Sequence, residues 1–302
     1  MEVETTKFDE VLAPFLNAMA DIELRSRLSG RIFENERQTV LDGDRVFRGN
    51  TFYFPNPILN NCQYIQYGEE ISQDKGKIIQ QIDSSENRQL QFLLVEAYES
   101  FLGFCQDFYA TMGFKFPGSW RAKDFGDMSI DEAHSQEHLF FRNKTKELKH
   151  SQIYTIPIQQ AKRHTNLSDL LKQRSNKLPS LEVSLFIIEK FRHFIVHNNG
   201  LISRFEKSKL TDGVTNKIQS NSEQAEYKQD LEKNRLGLYI EDYDRENLYL
   251  NFLPISKGGD LGGHTNIWKH LIDELISMAY LMNYALRQKS QSEPSDVIDD
   301  GY

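Results

Sequence analysis

Cysteine is scarce in this sequence: Cys62 and Cys105 are its only two, far apart and in no metal-like spacing. That argues against a disulfide framework or a zinc knuckle and fits free thiols in a reducing compartment. No run of about eighteen apolar residues occurs, so no segment reads as a membrane-spanning helix. Met1 to Lys7 is acidic and polar, without the apolar stretch of a signal peptide, and the expectation is a cytoplasmic protein with no membrane partner. Positive charge is also in deficit, with 36 Lys and Arg against 44 Asp and Glu and a net charge of −8. Proteins that coat nucleic acid nonspecifically are usually basic, so any RNA contact must come from a local patch. The glycine-rich run Gly258-Gly259-Asp260-Leu261-Gly262-Gly263 lacks the Lys and Ser/Thr of a phosphate-binding loop and reads as a flexible connection.

What is present is aromatic and helical. Twenty Phe and thirteen Tyr in 302 residues need burial, which excludes disorder of the whole chain. From Phe8 to about Thr39, apolar residues recur at helical spacing (Val11, Leu12, Phe15, Leu16, Met19, Ile22, Leu24), giving one long or two short helices. A second helix is expected to open after Asp83-Ser84-Ser85-Glu86 and to run to about Met112, closed by Gly113 and Pro117. Its wide stripe, Leu90 through Phe108, belongs to a core. A third begins near Leu178-Pro179-Ser180, turns Val183, Phe186, Ile187, Phe191, Phe194 and Ile195 inward, and stops at Asn199-Gly200. A last helix spans Asn266 to about Arg287.

Between these lie a short hairpin or ordered loop over 43–68, a possible short helix over Ser129 to Phe141, and a polar excursion over 206–234 expected to be mobile. Leu236 to Ile240 and Asn247 to Leu253 flank a turn and read as a β-hairpin. The fold class is therefore mainly α: an antiparallel helical bundle with small β-hairpin insertions. No Pro/Ser/Gly linker divides the apolar helices. Residues 1–287 read as a single domain with β insertions near 43–68 and 236–253, and 288–302 as a disordered acidic tail.

One segment carries chemistry: Arg192-His193-Phe194-Ile195-Val196-His197-Asn198-Asn199-Gly200. Three strongly polar groups, Arg192, His193 and His197, interrupt a helix that otherwise reads as buried. His193 and His197, four apart, share one helical face. Arg192 and His197, five apart, diverge by about 140° on a straight helix. They can cooperate only at a frayed helix end or across an interface that surrounds the helix. His197 falls in the last turn, where the helix macrodipole favours a cation. The plainer reading is that both side chains merely cap carbonyls at the helix C-terminus.

This arrangement resembles the signature of the HEPN superfamily: an Arg, then a polar residue, then a His four to six residues on, at the end of an apolar helix in an all-α bundle. Arg192, His193 and His197 fill those places, and the continuation His197-Asn198-Asn199-Gly200 is similar to that of many bacterial members in defence and stress systems. The resemblance covers roughly 84–113, 178–203 and 266–289. It implies a HEPN-like fold and a metal-independent endoribonuclease with no cofactor, working as a homodimer in which two copies of the motif face each other in a basic cleft. It further implies His197 as general acid/base on the ribose 2′-hydroxyl or the leaving oxygen, and Arg192 as the group that neutralises the scissile phosphate. His193 occupies the polar place after the Arg, and Asn198 orients the substrate or His197. Members act as toxins or phage-triggered RNases, often with a regulatory partner or antitoxin. Others have lost activity and serve as dimerisation or partner-binding modules.

Other candidates carry less. Glu96 and Glu99 lie on an apolar helix, where an unpaired carboxylate is costly to bury; either one pairs with Arg192, or both reach solvent. Lys162-Arg163-His164 is a candidate for RNA backbone contact, with an ordinary exposed face as the blander reading. His134-Ser135-Gln136-Glu137-His138 has the form of an inverted zinc-peptidase motif, but its polar flanks favour a solvated helix, and no metal is expected. Arg142-Asn143 with His150 mimics the Arg/His motif at too wide a spacing and is set aside, although Lys144, Lys146, Lys149 and His150 could touch phosphate.

Overall fold

A computed structural model describes residues 7–43, 52–55, 64–67, 75–124, 126, 128–175, 180–219, 236–253 and 266–292. Among these the chain is mainly helical, with a two-stranded and a three-stranded antiparallel sheet. The helices are α1 (Lys7–Asp42), α2 (Lys75–Lys115), α3 (Ile130–His134), α4 (His138–Thr145), α5 (Thr155–His164), α6 (Leu167–Ser175), α7 (Leu181–Asn198), α8 (Arg204–Gln219) and α9 (Ile267–Ser292). The strands are β1 (Phe52–Pro55), β2 (Tyr64–Tyr67), β3 (Leu201–Ser203), β4 (Ile240–Asp242) and β5 (Asn247–Leu250). Among the described residues no helix is long and apolar enough to cross a membrane. The chain divides into two compact units, one of residues 24–90 and one of residues up to 23 together with those from 91 onward.

In the smaller unit, residues 24–42 of α1 and 75–90 of α2 are joined by an ion-pair cluster. The Arg37 guanidinium donates to Asp83 (2.7 Å) and to Glu86. Burial opposes the charge on Arg37, but the two carboxylates outweigh it and hold the guanidinium above its ordinary range. The expected hairpin near 43–68 is present as β1 paired antiparallel with β2, Phe52 opposite Tyr67. Cys62 and the rest of that insertion lie outside the described residues.

The larger unit holds the aromatic core. Phe15 packs on Phe104 at 5.4 Å between ring centroids, and Phe104 on Phe108 at 5.8 Å. Phe191 of α7 meets Tyr239 at 5.4 Å and Phe252 at 5.9 Å. Each of these rings is nearly or wholly buried, and burial of one such side chain is worth about 1.5–3 kcal/mol. The α9 helix supplies Trp268, Leu271, Leu275, Met278, Met282 and Leu286, all buried, as the last apolar stripe predicts.

Boundaries differ from the expectation in instructive ways. Lys7 to Asp42 form one helix, with Pro14 inside it, because the apolar spacing continues on both sides of the proline. The second helix starts at Lys75 and passes through Gly113. That glycine is needed for close approach, since a Cβ there would collide with the Trp120 indole and with Phe141 at 2.7 Å. Residues 206–219 of the supposed excursion belong to the α8 helix, Arg204–Gln219. It opens on a capping box: Ser203 N–H and Oγ donate to Glu206 at 2.9 and 2.8 Å, and the Glu206 N–H returns to Ser203 Oγ at 3.2 Å. Residues 220–234 of that excursion and the glycine run 258–263 lie outside the described residues. The tail reading fails for residues 288–292, which continue α9, and its remainder is likewise outside.

The β-hairpin near 236–253 is present in shorter form, β4 pairing with β5, and β3 adds to the other edge of β5 with Ile202 opposite Leu248. β3 follows directly on the helix stop. Asn199 (φ 54°) and Gly200 (φ 78°) both adopt the left-handed conformation, and the Gly200 N–H donates back to the Phe194 carbonyl at 2.9 Å. The Asn199 N–H donates to the same Phe194 carbonyl, and this left-handed cap turns the chain into the sheet. Gly200 also lies against Gln91, whose amide donates to the Leu250 carbonyl at 2.8 Å, so α2, the end of α7 and β5 meet at one point.

Candidate functional site

The α7 helix forms because Leu181, Leu185, Ile188, Phe191 and Ile195 recur at helical spacing, and all five are buried. Its open face runs through Glu182, Phe186, Lys190, His193 and His197, spaced four, four, three and four apart. The two histidines therefore do not interrupt a buried surface. They continue the solvent face of the helix to its end. Phe186 is only half-buried, a departure from the inward orientation expected of it, and lies between the Lys190 and Lys217 ammonium groups, 5.3 and 5.2 Å from the ring centre.

Arg192 occupies the flank of this face and is half-buried. Its Nε and Nη2 donate to the same oxygen of Glu99, at 2.9 and 2.7 Å, which joins α7 to α2. Of the two carboxylates on α2, Glu99 is thus the partner of Arg192; Glu96 is exposed one turn earlier. His193 and His197 lie with ring centroids 4.6 Å apart at an angle of 50°. Partial desolvation, with help from the neighbouring His197, Lys190 and Arg192, holds His193 below the ordinary imidazole range, and only Glu206 pulls the other way. Asn198 Nδ2 reaches Glu206 Oε1 at 3.4 Å.

Glu206 is the member of this cluster that the sequence reading did not single out. Its signal is the spacing Ser203-x-x-Glu206, a capping-box pattern at the start of the stretch read as an excursion. With it, the end of α7 holds one anchored guanidinium, two adjacent imidazoles, an amide and a carboxylate. Such a set can hold an anion against Arg192 and move protons through the imidazoles.

Other expected groups lie elsewhere. Lys162 is bound to Glu182 at 2.7 Å, on the first turn of α7. Ten residues of helix separate Glu182 from Arg192, about 15 Å along the axis, so Lys162 does not join the Arg192 cluster. Arg163 is exposed and His164 half-buried in the same last turn of α5. His134 and His138 do not share a helix. α3 ends at His134 and α4 begins at His138, with Glu137 as its N-cap, so the spacing of four places no two ligands on one face. His138 instead packs edge-on against Phe114 and lies 3.2 Å from Thr111 Oγ1. Among the described residues no three His, Cys, Asp or Glu side chains are grouped as a metal site would need. Arg142 is engaged by Asp107 at 3.0 Å, and Lys144 by Glu147 at 3.2 Å.

Comparison with known protein families, with curated proteins and with solved structures gives no match for this chain.

Proposed function

We propose that this chain is a metal-independent endoribonuclease of HEPN type, acting as a homodimer whose active site is built from two copies of the α7 C-terminus. The observation that carries the reading is the placement of an anchored Arg192 and an exposed His193/His197 pair at the C-terminal end of one amphipathic helix. Arg192 and His197 diverge by about 140°, so a second protomer brings the guanidinium of one copy toward the imidazole of the other. Bacterial defence or a stress response is the setting the family resemblance suggests.

The chemistry balances without metal or water. A neutral imidazole takes the proton of the ribose 2′-hydroxyl, and the 2′-oxygen bonds to phosphorus. The bond from phosphorus to the 5′-oxygen breaks, and an imidazolium returns a proton to that oxygen. The products are a 2′,3′-cyclic phosphate and a 5′-hydroxyl. His197 from each protomer supplies one proton transfer, Arg192 neutralises the charge that builds on the phosphate, and His193 stays neutral beside His197 as an acceptor. Asn198, tied to Glu206, orients His197 or the substrate.

A second reading is a catalytically silent dimerisation or partner-binding module, favoured by the ion pair that already engages the Arg192 guanidinium. The deciding assay is cleavage of single-stranded RNA by the purified protein in EDTA, alongside Arg192→Ala and His197→Ala. The nuclease reading expects cleavage that resists EDTA and is lost in both variants. Cleavage retained in both variants removes the site assignment.

A further inference from the structure

We infer that the surface formed by the last turn of α5 and the C-terminal half of α9 is a docking site for single-stranded RNA; this rests on, and deepens, the ribonuclease reading. Arg163, His164 and Lys289 gather there. Burial together with the charges of Lys289 and Arg163 disfavours a proton on His164, which places these three groups within electrostatic reach of one another. Near the α5 turn, Glu182 takes Lys162 at 2.7 Å and Asp169 faces Lys172 at 3.9 Å. Arg163 and Lys289 bring like charge to this surface of a chain whose net charge is −8.

Beside it, α9 presents Tyr280 and Tyr284, 55% and 40% exposed, with rings 6.3 Å apart and within 10° of parallel. Large aromatic side chains exposed in sequence on one helix face cost hydration, and a pair with aligned faces is a platform on which bases stack. The platform and the cations are physically joined. Gln288 donates to the Tyr284 hydroxyl at 2.7 Å and accepts from Asn166 at the α5–α6 turn, and Lys289 lies over the Phe116 ring at 4.9 Å. Stacking rings next to a short cationic track fit an unpaired strand, whose bases are available and whose phosphates need neutralising. A duplex offers no free base faces, and an acidic peptide has no use for parallel rings.

The test uses the full chain and a fluorescein-labelled 2′-O-methyl oligouridine of about 12 nucleotides, which binds without being cleaved. Fluorescence anisotropy is read across a salt series. The Tyr280→Ala/Tyr284→Ala protein is expected to bind about tenfold or more weakly, while Tyr280→Phe/Tyr284→Phe keeps its affinity because the rings remain. Arg163→Gln/Lys289→Gln is expected to lower the slope of log K against log salt by about 1.4, since each phosphate contact on a single strand contributes about 0.7. Wild-type affinity and slope in both the Ala and the Gln variants overturn the docking site and leave the nuclease reading standing. A wild-type protein that binds through this surface yet shows no cleavage dependent on Arg192 and His197 overturns the nuclease reading alone. Dissociation of a dimer by the Ala pair, without change in RNA affinity, assigns the rings to a protein interface and overturns the proposal.

Discussion

Arg192 presents two nitrogens to a single oxygen of Glu99, at 2.7 and 2.9 Å, and leaves the other oxygen of that carboxylate to other partners or to solvent. The guanidinium is thereby fixed in direction while its charge is largely balanced. Under the proposed ribonuclease reading, this arrangement holds the side chain until a phosphate displaces the carboxylate.

Glu99→Gln tests that balance. Glu99 is 44% exposed at its side chain, so the pair adds little to stability, roughly 0–1 kcal/mol. The variant is expected to melt within a few degrees of the wild type and to bind single-stranded RNA more tightly, because Arg192 is released. Weaker RNA binding with an unchanged melt would show that Glu99 orients Arg192 rather than restraining it.

His193 gives the protein a specific acid response. Its folded-state value lies below the ordinary 6.5, for partial desolvation first and then for the charges of His197 and Lys190. Between that lowered value and about 6.5 the unfolded chain binds a proton that the folded His193 refuses, so stability falls as pH falls through this window. Above about 6.5 both states hold the ring neutral and its contribution is constant. Thermal melts of wild type and His193→Gln from pH 8 down to pH 5 should therefore diverge below about 6.5, the variant losing less. Parallel curves would remove the effect.

Gly200→Ala strikes the junction of α2, α7 and β5. The new Cβ would sit 2.6 Å from Gln91 Nε2 at a residue whose φ is 78°. Strain at such a position costs about 1–3 kcal/mol, and displacement of Gln91 also threatens its bond to the Leu250 carbonyl. Urea unfolding should report a loss of that order, with RNA cleavage falling as the end of α7 shifts. Gly126, also at positive φ (71°) but with nothing near its Cβ, should lose only the conformational part on the same substitution.

Arg174 and Glu274 form an ion pair 15% and 3% exposed at their side chains, with an Nη2–Oε1 distance of 2.9 Å; His270 Nε2 is 3.6 Å from the same oxygen. Glu274 Oε2 has no hydrogen-bond partner among the described residues. Arg174→Ala strands that buried carboxylate and should cost about 3–5 kcal/mol in urea unfolding. The double variant Arg174→Met/Glu274→Leu should recover most of the loss, because two apolar groups need no compensation. A double variant as weak as the single would place the cost in packing instead.

The sequence by itself determined which segments are helical wherever the apolar spacing was long and regular: α1, α2, α7 and α9 bury most of the stripes that this spacing prescribes, with Leu24 exposed and Phe186 half-buried as the departures. It also determined the stop at Asn199-Gly200, because a left-handed cap is a local property of the backbone. The adjacency of His193 and His197 was legible for the same local reason, since two imidazoles four apart on a helix share a face. Tertiary structure decided what distant residues did with those elements. It chose Glu99 over Glu96 as the partner of Arg192, because only the packing of α7 on α2 says which turn the guanidinium meets. It split His134 from His138 by ending a helix between them, and it drew α8 out of a polar stretch whose helicity rests on the Ser203/Glu206 cap and on packing against Phe186 rather than on apolar periodicity. It also set His193 and His197 on the open side of α7, a matter of what covers the helix, which spacing along one chain does not encode.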